Sequence, residues 1–156
     1  MPFLMPRSHL LVAMLALLTA LPAAAQFRNA DAAIKYRQSA MTIQNNHLGR
    51  LFAMANGQVP FDAKAAQDNI EIISLLNSRV QFGAFIDGSD KGNTRAKPEI
   101  WTEKDKFNAS IAKSQEDVAK LVAAGKSGNF DQFKAAVGAV GQSCKACHDA
   151  YQKPAN

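Results

Sequence analysis

Apolar residues recur at helical spacing along most of the chain, in four stretches separated by glycine, proline and polar clusters. In the first, from about Asp31 to Asn56, Ile34, Met41, Leu48 and Ala55 return every seven residues with Phe52 beside them, and Gly57 is the expected stop. A second helix is predicted from about Asp62, an N-cap residue placed after Pro60, and carries Ala66, Ile70, Ile73 and Leu76. The third opens at Thr102-Glu103-Lys104-Asp105, a variant of the capping box with Asp in place of Glu. It continues through Phe107, Ile111, Val118 and Leu121 and is expected to end at Gly125. The fourth has the cleanest pattern. Asn129 caps it, with Gln132 at the third helical position, and Phe130, Phe133, Val137, Val140, Cys144, Cys147 and Tyr151 alternate at spacings of three and four. Between the second and third helices lies the longest irregular stretch, Gln81 to Ile100; a connection of that length in a small bundle is usually functional or mobile. Helices joined by mostly short turns predict an all-α fold, an antiparallel up-down-up-down four-helix bundle.

Residues 1–25 are read as a secretory signal peptide rather than structure. Arg7 supplies the positive start, Leu10 to Leu21 is an apolar run too short to span a membrane, and Ala23-Ala24-Ala25 is a small-residue cleavage site. Cleavage after Ala25 leaves 131 of the 156 residues, positions 26–156, the length of one domain with a single core. No other long apolar stretch exists, so no membrane insertion is expected after cleavage, and the exported chain is expected in the periplasm. The formal charge falls from +5 to +4 when Arg7 leaves. Lys and Arg are spread along the chain rather than clustered, which argues against a nucleic-acid partner.

The chain's chemistry is concentrated in Cys144-Lys145-Ala146-Cys147-His148, a C-x-x-C-H run of the kind that attaches c-type haem. Two thiols add to the two vinyl groups of a haem, and the following histidine is placed to give its imidazole to the iron. Positions three and four apart share a helix face, so Cys144, Cys147 and His148 fall within one arc. A thioredoxin-like pair would open a helix after a strand, whereas here the motif closes a long helical segment. Structural zinc wants four ligands, and the only other histidine outside the leader is His47. Because the cysteines occupy the core stripe, a haem attached there must enter the middle of the bundle.

The mature chain as a whole resembles cytochrome c′, a bacterial haem-bundle family. Beyond the haem motif, the likeness rests on Lys35-Tyr36-Arg37-Gln38, on Lys97-Pro98-Glu99-Ile100-Trp101, and on Val140-Gly141 leading into Ser143 to Tyr151. The resemblance implies one haem c per chain, held by Cys144 and Cys147 with His148 as axial ligand. It places Arg37 and Gln38 near the haem edge, where a guanidinium can pair with a propionate. Phe82 matches a position that packs against the haem, and Thr94 and Arg95 lie in the loop that reaches the propionates in relatives. Met41 matches the distal position, where an apolar side chain crowds the sixth coordination site; without the family it reads as a core methionine or a thioether ligand. His47, six residues further along the helix, points to a different side. The chain departs from several members at Gln152, where they carry arginine.

Two functions are then open. One is a five-coordinate periplasmic haem protein that binds nitric oxide and carbon monoxide in an apolar distal pocket, with redox-active iron. The other is a soluble electron-transfer cytochrome with Met41 as sixth ligand, serving redox partner proteins. An enzyme such as a peroxidase is not expected, because no distal histidine and arginine pair is evident. Relatives commonly dimerise through the first two helices, and Ile43, Leu51, Ile72 and Leu75 are either an apolar homodimer patch or the broad edge of a core stripe.

Overall fold

The four apolar stripes become four long helices, α1 (Ala30–Ala55), α2 (Ala63–Leu75), α4 (Lys104–Ser127) and α5 (Phe130–Tyr151), with a single turn, α3 (Glu99–Thr102), before α4. The structure, a computed structural model, describes residues 26–154, and the expected signal peptide lies outside them. Three helix starts are set by side-chain caps that accept an otherwise orphaned backbone N–H. Asn29 Oδ1 accepts from Ala32 N, Asp62 Oδ1 from Ala65 N, and Asn129 Oδ1 from Gln132 N, each at 2.9 Å.

The third long helix corrects two expectations. Thr102 closes α3 instead of capping α4; Glu103 is the N-cap residue and makes no side-chain capping bond. Gly125 does not end α4. The helix runs on to Ser127 and stops at Gly128, whose φ of 65° is the left-handed value that glycine tolerates. Gly125 instead lets α2 come close: a Cβ there would lie 2.6 Å from Ile70 Cδ1.

Each long helix packs on its sequence neighbour, and α1 also packs on α5, which closes the ring of an up-down-up-down bundle. Leu51, Ile70, Ile73, Leu121, Phe133, Val137 and Val140 are fully buried in its main core. Burying one such side chain contributes roughly 1.5–3 kcal/mol. Leu51 is therefore core, not a surface patch residue, whereas Ile43, Ile72 and Leu75 are exposed. Phe130, expected in the α5 stripe, sits at its exposed edge against Phe61.

A second, smaller core of Ile100, Phe107 and Tyr151 lies at the other end, with Phe82, Phe85 and Trp101 packed against it. It is built by the long connection. After α2 the helix widens into a π turn (Leu76–Val80) and tightens into a 3₁₀ turn (Gln81–Ala84) that rests on α1. The chain then crosses to the end of α5, where Ala96 pairs with Gln152 as an isolated bridge.

Candidate functional site

Cys144 packs against the main core and Cys147 against the smaller one, so the C-x-x-C-H motif marks the seam between them. A cavity of about 610 Å³ opens at that seam, a size ordinary for a cofactor pocket. Cys144, Cys147 and His148 line it from α5, as do Arg37, Gln38 and Met41 from α1. Phe82, Thr94 and Arg95 line it from the long connection. All nine residues singled out from the sequence thus meet at one cavity. His47 is not among its walls; its Nδ1 lies 2.8 Å from Asn69 Oδ1, a contact between α1 and α2.

Burial sets the protonation of the motif. It pushes the Cys144 thiol up to about 11, with smaller contributions from Cys147 and Asp117. The Cys147 thiol is also raised by burial. Both are therefore neutral thiols at pH 7, without the thiolate character of a redox pair. His148 is held below its ordinary value by burial first and by the Arg95 charge second, so its imidazole is neutral, the form that binds a metal. Among the described residues no three His, Cys, Asp or Glu side chains gather as a metal cage. One imidazole beside two thiols in a largely apolar cavity suits a group that brings its own remaining metal ligands.

Arg37 does more than line the wall. It is buried, and its Nη1 donates to Ala84 O at 3.1 Å and to Ser89 Oγ at 2.8 Å. Its Nη2 donates to Ser89 O at 2.6 Å and to Thr94 Oγ1 at 2.9 Å. The guanidinium also lies 4.8 Å from the Phe85 ring centroid and 5.8 Å from that of Trp101. Those bonds use all four Nη hydrogens on the connection and leave Nε–H as the one donor for anything in the cavity. Gln38 is exposed and donates to Asn93 O at 2.9 Å, so it fastens the same loop. Thr94 Oγ1 also accepts from Ala96 N at 3.1 Å, and Arg95 Nε donates to Lys153 O at 2.8 Å.

The end of α5 is clamped by this strand-like segment. Lys97 N donates to Tyr151 O at 2.9 Å and Lys153 N to Arg95 O at 2.7 Å. Lys97 Nζ donates to the carbonyls of Asp149 and Ala150, a cation at the negative end of a helix. Gln152 lines the cavity, and its backbone N–H closes the last turn on His148 O at 2.9 Å. Sequence reasoning missed three buried polar wall residues, Gln44, Gln81 and Ser114. Gln44 was open to detection, one turn beyond Met41 on the same face of α1. They refine the expectation of an apolar pocket, since the Met41 wall carries buried amides as well.

A helical bundle that presents C-x-x-C-H to a cavity in its core defines a c-type haem domain of the bundle class. The family model described as Cytochrome C' matches residues 32–152. Cytochrome c' of Rubrivivax gelatinosus is 50% identical over 129 residues, covering 82% of this chain and 99% of the relative. The crystal structure of that organism's protein superposes with a TM-score of 0.79 at 48% identity, over 81% of this chain and 99% of its own. Two variants of cytochrome c prime from Alcaligenes xylosoxidans are also similar. A carbon monoxide-bound one has a TM-score of 0.77 at 41% identity, over 82% of this chain and 99% of its own. A ferrous one with bound nitric oxide has a TM-score of 0.78 at 40% identity, over 83% and 99%. The chain belongs to the cytochrome c′ family, whose members carry covalently bound haem c.

Proposed function

We propose that this chain binds one haem c through thioethers to Cys144 and Cys147, takes His148 as the axial ligand, and binds nitric oxide and carbon monoxide on the side facing Met41. The observation that carries this reading is the shared cavity: the motif lines it from α5 and Met41 from α1. The haem supplies the redox-active, ligand-binding iron. The protein's residues do the rest. His148 offers a neutral imidazole, and the α1 wall excludes bulk solvent. Phe82 and Phe85 supply apolar faces, and the Arg37-pinned connection closes the edge. Relatives solved with carbon monoxide and with nitric oxide support the choice of ligands. The chain acts as a binding and redox protein rather than an enzyme, in the periplasm, after removal of residues 1–25. A second copy would dock on the exposed face of α1 and α2 that carries Ile43, Ile72 and Leu75.

The rival reading, an electron-transfer cytochrome, has one observation in its favour: Met41 reaches the same cavity as His148 and could complete a six-coordinate iron. Optical spectra of the purified ferric and ferrous protein at neutral pH separate the two. High-spin, five-coordinate spectra that change on adding carbon monoxide to the ferrous form are expected. Low-spin spectra in both oxidation states would replace the gas-binding reading with electron transfer. The mass of the acid-unfolded chain must also exceed that of its amino acids by one haem.

A further inference from the structure

The wall that carries Met41 holds two glutamines in an unusual state. Gln44, on α1, and Gln81, in the 3₁₀ turn resting on α1, are 6% and 1% exposed, and both line the cavity. The Oε1 atom of each is sealed from solvent without a hydrogen-bond partner. The polar atom each can turn to the cavity is therefore its Nε2 amide. The other buried polar residues of the cavity wall are already engaged: Arg37 gives its Nη hydrogens to the long connection, and Ser114 Oγ accepts from Asn77 Nδ2 at 2.8 Å. A buried amide that gives up hydrogen bonds costs about 1–3 kcal/mol. Those two oxygens stay unpaired whatever enters the cavity, whereas each amide still has Nε2 hydrogens to give to an acceptor there; both residues lie on or against α1, while His148 comes from α5.

We infer that Gln44 and Gln81 form a donor pair beside Met41 that selects ligands whose outer atom carries negative charge, such as a small anion bound to ferric iron. This rests on the haem reading above. A preorganised N–H in a water-poor site stabilises charge more than it would in bulk solvent. Carbon monoxide, with little charge on its oxygen, would gain little affinity but would report the donors. A hydrogen bond to that oxygen favours donation of metal electrons into the ligand and lowers the C–O stretching frequency.

The test uses the holoprotein with Gln44→Met, Gln81→Met and the double substitution, methionine being close to glutamine in size and able to pack without strain. Two probes are read, the infrared band of the ferrous carbon monoxide complex and the dissociation constant of cyanide from the ferric form. The C–O band is expected to move to higher frequency in each variant and furthest in the double. Cyanide binding is expected to weaken about tenfold in the double, while carbon monoxide affinity stays within about twofold. The wild-type band in deuterated water needs no substitution and is expected to shift, because both amides exchange. An unmoved band in the variants and in deuterated water, with unchanged cyanide binding, would overturn the inference while leaving gas binding intact. A shift to lower frequency in the variants would overturn it too, by placing carbonyl oxygens at the ligand. Failure of the wild type to bind carbon monoxide would instead remove the proposed function, and this inference with it.

Discussion

Arg37 holds Ser89 twice, through Nη1 to the side-chain oxygen and Nη2 to the backbone oxygen, although the two lie on separate elements, α1 and the long connection. Ser89 is fully buried. A buried cation satisfied by neutral oxygens and two aromatic faces is a structural rivet, and no other residue type offers the same planar fork. Arg37→Leu is expected to cost about 3 kcal/mol or more, because the Ala84 and Ser89 carbonyls and the Thr94 hydroxyl lose a donor together. Arg37→Lys should recover less than half of that. Chemical denaturation gives the stability. Amide hydrogen exchange should show accelerated exchange confined to residues 84–97, and uniform acceleration across the bundle would refute the local role.

The α1–α5 crossing is fixed by one absent side chain. A Cβ on Gly141 would stand 2.5 Å from Phe52 Cζ. Gly141→Ala gains about 1 kcal/mol of helix propensity but forces the ring or the helix to move, an overpacking cost of typically 1–3 kcal/mol. A net loss of stability is expected, and Phe52→Leu in the same chain should reverse part of it. A double-mutant cycle with no coupling between the two positions would show that the contact is soft.

Alkaline pH should separate the chain with free thiols from the chain with thioethers. Folding raises the Cys144 thiol from 9.0 to about 11. The folded form therefore keeps a proton that the unfolded form gives up. The associated stability is fully present below pH 9 and is lost as the pH climbs towards 11. Urea unfolding of haem-free protein across that interval should show the decline. In the haem-bearing protein Cys144 no longer titrates, and its share of the decline should disappear.

Lys97 caps the last carbonyls of α5 with bonds of 2.9 Å to Asp149 O and 3.1 Å to Ala150 O. Lys97→Met is expected to cost about 1 kcal/mol at low salt and less at high salt, since charge at a helix end is screened. Thermal unfolding at two ionic strengths measures it. A loss that does not depend on salt would mean that the contribution comes from the apolar stem alone.

The long helices were legible because their signals are local. Asp62 and Asn129 carry their caps within three residues, Gly57 has the positive φ that a stop requires, and α5 keeps its stripe from Phe133 to Tyr151. Cys144, Cys147 and His148 could be read for the same reason, since the motif's spacing is its chemistry. Gly125 misled because a glycine inside a helix can mark either an end or a close approach, and only the position of Ile70 decides. The box at Thr102 failed when α3 used that residue as its own last turn. Arg37 lines the cavity that the motif faces, but its four loop bonds depend on partners about fifty residues away, and no local pattern records them. Gln44 escaped because polarity in a stripe reads as exposure until burial is seen, and Gln81 because it opens the stretch read as irregular.

The connection from α2 to α3 is tied at one end by Arg37 and at the other by the end of α5, and Lys91 lies exposed between those anchorages. An inserted stretch at positions 90–91, natural or grafted, would cost little closure entropy and leave the cavity walls in register. The same spot is where an electrode tether or a surface tag could be attached without disturbing the bundle interior.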